Sequence, residues 1–203
     1  FPDSTSIHAR EFLVDQKTTG IEYPGVASKG VNIKWYPHKN DMHIHQSDEP
    51  FTMYSGKATL EGYLNLKPTG LKGKGLMDMK KATLESHNYQ FQGESFDANK
   101  ANYVLRTLNK KQVAFRSDTV NAHINYKQQT ARFSTVKNYS ISRFPQNRYI
   151  SYLDQFIWNM KDNLLRVESE LPSQTPYGRR DELNTLKDGD LKGALYMSSH
   201  KSQ

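Results

Sequence analysis

Between Lys57 and Val136 apolar and polar side chains alternate one by one, in runs broken by short polar or glycine-rich stretches. In the first run Ala58, Leu60, Gly62, Leu64 and Leu66 form one parity, and Thr59, Glu61, Tyr63, Asn65 and Lys67 form the other. Successive side chains of a strand point to opposite faces, so this pattern builds one dry face and one wet one. The next run repeats it with Ala82, Leu84 and Ser86, slips by one position, and resumes at Tyr89, Phe91 and, further on, Phe96. A third run pairs Val113 with Phe115, and a fourth carries Val120, Ala122, Ile124 and Tyr126. A helix needs apolar residues three and four apart, which these runs lack. They predict strands.

The runs also repeat. Lys57-Ala58-Thr59-Leu60-Glu61 returns unchanged as Lys81-Ala82-Thr83-Leu84-Glu85, 24 positions later. Looser echoes begin at Ala101 and Val120, 19 positions apart. A repeat step of this length marks stacked structural units. The connector Lys67-Pro68-Thr69-Gly70-Leu71-Lys72-Gly73-Lys74-Gly75 reads as loop or bulge, because proline presets a turn and glycine permits positive φ. Short strands with frequent turns predict an all-β fold, an elongated stacked-sheet jellyroll or solenoid built from imperfect repeats of 19–24 residues. Residues 1–50 read as leading strands and loops, 51–170 as the repeated domain, and 171–203 as a loop followed by the start of a further strand at Gly193–Ser198.

The flanks are less regular. Ile7–Val14 fits a short helix or a strand equally. Gly25–Gly30 reads as a small-residue loop, and Val31, Ile33 and Trp35 as a strand ended by Pro37. From Tyr149 to Leu164 six apolar residues keep helical spacing, yet Phe156, Trp158 and Met160 alternate, Lys161-Asp162-Asn163 is turn chemistry, and Leu165, Val167 and Ser169 alternate back. The second pattern predicts a hairpin over Gln155–Ser169. Leu171–Arg180 reads as linker.

Composition narrows the class. A hydrophobic content of 35% and a mean hydropathy of −0.82 suit a thin core between wet surfaces, filled largely by 12 tyrosines and 9 phenylalanines. No apolar run is long enough for a membrane-spanning helix. Without cysteine there is no disulfide framework and no thiolate site. Starting at Phe1, the chain reads as a processed protein or a piece of a longer one. The net charge of +7 is spread along the sequence, as expected of solvated loops and of edge-strand lysines that discourage aggregation, and an anionic partner is the functional counterpart of that excess. No groove-reading helix or aromatic-basic motif points to nucleic acid.

Candidate chemistry is sparse. His43 and His45 project from one face of a strand, which is how a sheet offers two imidazoles to a metal, and Glu49 follows. The spacing His43-x-His45-x3-Glu49-x6-Gly56 resembles the first metal-binding motif of the cupin family, and Gly62-x5-Pro68-x-Gly70 resembles the start of its second. Pro37 replaces the leading glycine, Gly73 stands in place of the second-motif histidine, and the intervening residues are too few for the strands that separate the motifs. The resemblance implies a metal-dependent enzyme using His43, His45 and Glu49. The plainer reading is an alternating strand with an exposed histidine face. His87 and His123 occupy roughly matching places in their repeats and read as ordinary hydrogen-bonding residues. Nucleophile-elbow, Walker and dinucleotide signatures are absent, and nothing calls for a cofactor.

The rhythm of apolar-x-Leu-x-Gly-x-Leu, loop and aromatic strand around Ala58, Ala82, Ala101 and Val120 resembles the OstA-like lipopolysaccharide-transport proteins. That resemblance implies a periplasmic or cell-surface module with an apolar trough, lined here by Leu60, Leu64, Leu84, Phe91, Phe115, Ile124 and Phe133, for an amphipathic anion. The first functional expectation is accordingly a non-catalytic envelope module, a scaffold or a carrier of a lipid or acidic glycan, with sheet edges open to protein partners. The others are the metal enzyme and glycan binding through Tyr36, Tyr54 and Trp158, expected to be exposed.

Overall fold

A computed structural model describes residues 3–107, 109, 111–136 and 140–168, and the backbone of 193–195. The protein is all-β: among the described residues there is no α-helix, and the helical pieces are two single 3-10 turns, Pro37–Lys39 and Pro145–Asn147. The chain divides between Asn99 and Lys100 into two compact units.

The first unit contains β1 (Thr5–Val14), β2 (Val26–Tyr36), β3 (Asp41–Gln46), β4 (Phe51–Met53), β5 (Ala58–Lys67), β6 (Gly70–Asp78), β7 (Ala82–Phe91) and the beginning of β8 (Ser95–Arg106). All pairings are antiparallel, in the order β1-β2-β3-β5-β6-β7, with β4 filling the space between β2 and β5 where β3 has ended. The ambiguous segment Ile7–Val14 is strand, because backbone pairing with β2 along its length outweighs a helix period with few apolar anchors. Two expected loops are also strand. Val26–Tyr36 runs unbroken through Gly30, which bends it at φ +70°, and Gly70–Asp78 absorbs Gly73 and Gly75 into β6.

The two identical repeats flank β6 in register. Thr59, Asp78 and Thr83 form one row, Leu60, Met77 and Leu84 the next, and Glu61, Leu76 and Glu85 the third. The middle row is fully buried and the outer row leaves Leu76 exposed, so the repeat encodes one packed position on either side of a shared strand. The slip after Ser86 is a bulge: Ser86 pairs with Gly75 and Tyr89 with Gly73. Ser86 Oγ accepts from Asn88 N at 3.1 Å and donates to Asn99 O at 2.7 Å, which satisfies the disturbed ladder.

The second unit takes the rest of β8, then β9 (Val113–Asn125), β10 (Thr130–Thr135), β11 (Ser140–Phe144), β12 (Tyr149–Leu153), β13 (Gln155–Asn159), β14 (Leu164–Glu168) and β15 (Gly193–Leu195). β9, β10, β13, β14 and β15 follow one another, while β11 pairs with both β9 and β12. The expected hairpin is β13–β14, closed by Trp158 Nε1 donating to Asn163 Oδ1 at 3.1 Å. Of the strand expected at Gly193–Ser198, Gly193–Leu195 pairs with β14 and the remainder lies outside the described residues, as does the linker at Leu171–Arg180.

The looser echoes have their own cause here. Lys100 (φ +51°) and Thr119 (φ +57°) kink β8 and β9, and the buried parity shifts from Ala98 to Ala101 and from Ser117 to Val120. The asparagine two positions beyond each kink clamps the other: Lys100 N donates to Asn121 Oδ1 at 3.2 Å, and Thr119 N donates to Asn102 Oδ1 at 3.3 Å. The core is aromatic. Tyr103 lies 4.3 Å from Phe133 between ring centres, Phe133 stacks on Phe156 at 4.4 Å, and Phe115 meets Phe156 at 5.0 Å.

Candidate anion-binding face

Leu60, Leu64, Leu84, Phe91, Phe115, Ile124 and Phe133 are all buried, each on the dry parity of its strand. The four in the first unit and the three in the second belong to packed cores; Phe91 also borders a cavity of about 370 Å3 beside Ile21, Leu71 and Gln92. The aromatic trio expected at the surface is corrected by the structure. Tyr54 is 6% exposed and donates to Ser95 O at 2.7 Å, and Trp158 is 1% exposed. Both face inward because their ring area is worth more in the core than in water. Tyr36 alone of the three is partly exposed.

The metal trio is not assembled. His43 and His45 do share a face of β3, but Glu49 lies past the strand's end with its carboxylate 3.7 Å from Lys29 Nζ. Among the described residues no group of three histidine, aspartate or glutamate side chains stands close enough to hold a metal ion.

What surrounds the histidines is a polar face built by cross-strand registry. Lys34, His43, Asn65, Lys72 and Gln90 form one row across β2, β3, β5, β6 and β7, and Asn32, His45, Tyr63 and Lys74 form the adjacent row. Paired residues in neighbouring strands project to the same side, so alternation in each strand delivers both rows together. A cavity of about 330 Å3 opens among Asp41, His43, Tyr63, Asn65, Lys67, Lys72, Gly73, Lys74, His87 and Asn88. Its floor is Gly73, where any Cβ would sit 2.9 Å from both the Phe91 ring and Tyr63 O.

Asp41 is the one carboxylate in that cavity, and it is already engaged. Lys67 Nζ lies 2.9 Å from Oδ2, His43 Nε2 lies 3.2 Å from Oδ1, and Asn65 Nδ2 donates to Oδ1. Burial pushes the Asp41 carboxyl up, but the hydrogen bonds from Lys67, Asn65 and His43 outweigh it and hold the group below its usual value. It stays ionised, organising the site rather than titrating within it.

The lysines are steadied by aromatic rings. Lys74 Nζ stands 5.3 Å from the centre of Tyr63, and Lys34 and Lys39 stand 5.4 Å and 5.9 Å from Tyr36. Tyr63 is ringed further by His45 at 4.7 Å and His43 at 5.6 Å. Burial raises the Tyr63 phenol, which therefore remains a neutral donor at neutral pH. Burial, together with the charges of His43 and Lys74, lowers His45, which is neutral there as well. Lys72 and Lys74 are exposed, and among the described residues no carboxylate pairs with either.

The sequence singled out His43 and His45 but not Tyr63, Asn65, Lys72 and Lys74 as their companions. The available signal was the wet parity of β5 and the Lys72-x-Lys74 alternation, two patterns that share a face only once register is known. No protein-family model matches the chain, and neither a curated protein nor a solved structure matches it.

Proposed function

We propose that the chain is a non-catalytic β module of the cell envelope, periplasmic or surface-borne, that binds an acidic glycan on the polar face of β2, β3, β5 and β6. The observation that carries this reading is a charge imbalance. Lys34, Lys67, Lys72, Lys74, His43 and His87 gather around a single carboxylate whose oxygens are already taken. An anion entering the cavity meets the Lys74 ammonium held in place over the Tyr63 ring, so less side-chain freedom is lost on binding. Tyr63, Asn65 and Asn88 supply neutral hydrogen-bonding groups of the kind that recognise sugar hydroxyls, and Tyr36 offers ring surface at the margin. The OstA-like resemblance of the strand rhythm supports the envelope setting.

The test is calorimetric titration with polygalacturonate and, in parallel, with neutral dextran. Binding of the polyuronate alone, weakening with added salt and abolished in Lys72→Glu/Lys74→Glu, is the expected result. Equal binding of both polymers, or no change in the double variant, would remove the proposal.

A further inference from the structure

The hairpin of β11 and β12 is turned the wrong way for a surface facing water. Its inner row is Ser117, Ser142 and Ser151, exposed by 0%, 0% and 5%, with Ser140 also buried. Its outer rows carry Ile141 opposite Tyr152, and Arg116, Arg143 and Ile150 side by side. Ile141 is 37% exposed, Ile150 49%, and Tyr149 at the start of β12 38%. These three are the exposed large hydrophobic side chains of the second unit among the described residues.

The inward serines are chemically settled. Ser142 Oγ donates to Ser117 Oγ at 2.9 Å, Ser140 Oγ donates to Thr119 O at 3.3 Å, and Phe144 and Leu153 anchor the two strands in the core. Small hydroxyls let β11 lie close against β9, and the isoleucines are thereby left outside. A monomeric protein in water gains nothing from such an inversion, whereas a surface with an apolar partner does.

The charges beside the patch identify the partner. Arg143 is held by Asp118, its Nη1 2.6 Å from Oδ2, and Arg116 and Arg148 have no carboxylate partner among the described residues. Arg148 sits at the tip of the hairpin after Pro145–Asn147, in a left-handed conformation (φ +52°). Isoleucine and tyrosine side chains flanked by uncompensated guanidinium groups match an interface that is oily below and anionic above.

We infer that the β11–β12 hairpin docks on an anionic lipid surface, with Ile141 and Ile150 entering the acyl boundary and Arg116 and Arg148 meeting the headgroup phosphates. The site lies in the second unit and is independent of the polar face on β3 and β5. It also assigns the positive charge of the chain a second, physically distinct use.

Sedimentation of the 203-residue chain with phosphatidylglycerol vesicles, and with phosphatidylcholine vesicles, tests this. The chain is expected to pellet with the first and to remain largely in the supernatant with the second. Ile141→Thr/Ile150→Thr keeps β-branched residues in both strands and is expected to weaken partitioning roughly tenfold. Arg116→Gln and Arg148→Asn are expected to weaken it about fivefold each, with the effect shrinking in high salt. Leu13→Thr, at an exposed leucine of β1 in the first unit, serves as the control and is expected to bind as the parent does. The proposal is overturned if the parent chain fails to pellet with phosphatidylglycerol, or if the Leu13 variant loses binding while the isoleucine variant keeps it. It is equally overturned if the isoleucine variant instead abolishes a concentration-dependent dimer of a chain that ignores vesicles, which would make a second copy the occupant.

Discussion

At Gly62 and Gly75 two strands pass so closely that neither position has room for a side chain. A Cβ on Gly75 would lie 2.1 Å from Glu61 O, and one on Gly62 would lie 2.2 Å from Lys74 O; the two glycines face each other at φ +155° and +131°. This close approach lies beside the polar face, next to Tyr63 and Lys74. Gly75→Ala is therefore expected to destabilise the fold by about 3 kcal/mol, from left-handed backbone strain and steric overlap combined, read as a lowered urea midpoint. Tyr103 poses the opposite case. Its hydroxyl is wholly buried among Phe115, Phe133, Phe156 and Trp158 and finds no hydrogen-bond partner. Burial pushes that phenol well above its ordinary range. Tyr103→Phe removes an unsatisfied polar atom while keeping the ring, so stability is expected to stay level or to rise by about 1 kcal/mol in the same assay.

At the scale of elements, the internal repeat has two different structural meanings. The identical copies start just after left-handed turns, at Gly56 (φ +78°) and Lys80 (φ +70°), and their leucines meet across β6 through Met77. The looser copies start inside long strands, directly after the kinks at Lys100 and Thr119. Alternation and repetition made the strands and their buried parity readable in advance, including the slip between Ser86 and Tyr89. The asparagines at 102 and 121 were visible as part of the echo, but their reciprocal clamp required knowing that β8 and β9 kink beside one another. Asn121→Ala leaves Lys100 N without that acceptor and is expected to cost about 1 kcal/mol, and Asn102→Ala a similar amount through Thr119 N, each measured by equilibrium unfolding. Where sequence misled, glycine was the reason. Gly30, Gly73 and Gly75 read as loop residues yet sit inside strands, because a glycine needed for close approach or for a bend cannot be told from one needed for a turn.

For the whole molecule, acid is the condition that acts on the proposed site first. His45 has a folded pKa below the free value of about 6.5, so in the interval between the two the unfolded chain binds more protons, and stability falls as pH drops through it. Asp41 behaves alike lower down: its stabilisation is present above its unfolded value near 4 and is lost as pH falls through its depressed folded value. Urea midpoints measured from pH 8 downward are thus expected to be level above about pH 6.5, to decline below it, and to drop again below about pH 4. His45→Asn is expected to remove the first decline and to keep the second. A midpoint that rose on acidification would contradict the packing of both groups.

Local alternation by itself determined that the repeated region is β and which parity of Leu60, Leu84, Ile124 and Phe133 goes inside, because a strand's two faces are set by covalent geometry residue by residue. It determined nothing about which wet residues become neighbours. That was decided by register: Lys34 beside His43 beside Asn65 beside Lys72 is a relation among four strands, and one residue of slippage in any of them would scatter the face. The inverted β11–β12 hairpin belongs to the same class of fact. Ser140-Ile141-Ser142 alternates correctly in sequence, and only packing against Ser117 of β9 chose the serines for the interior.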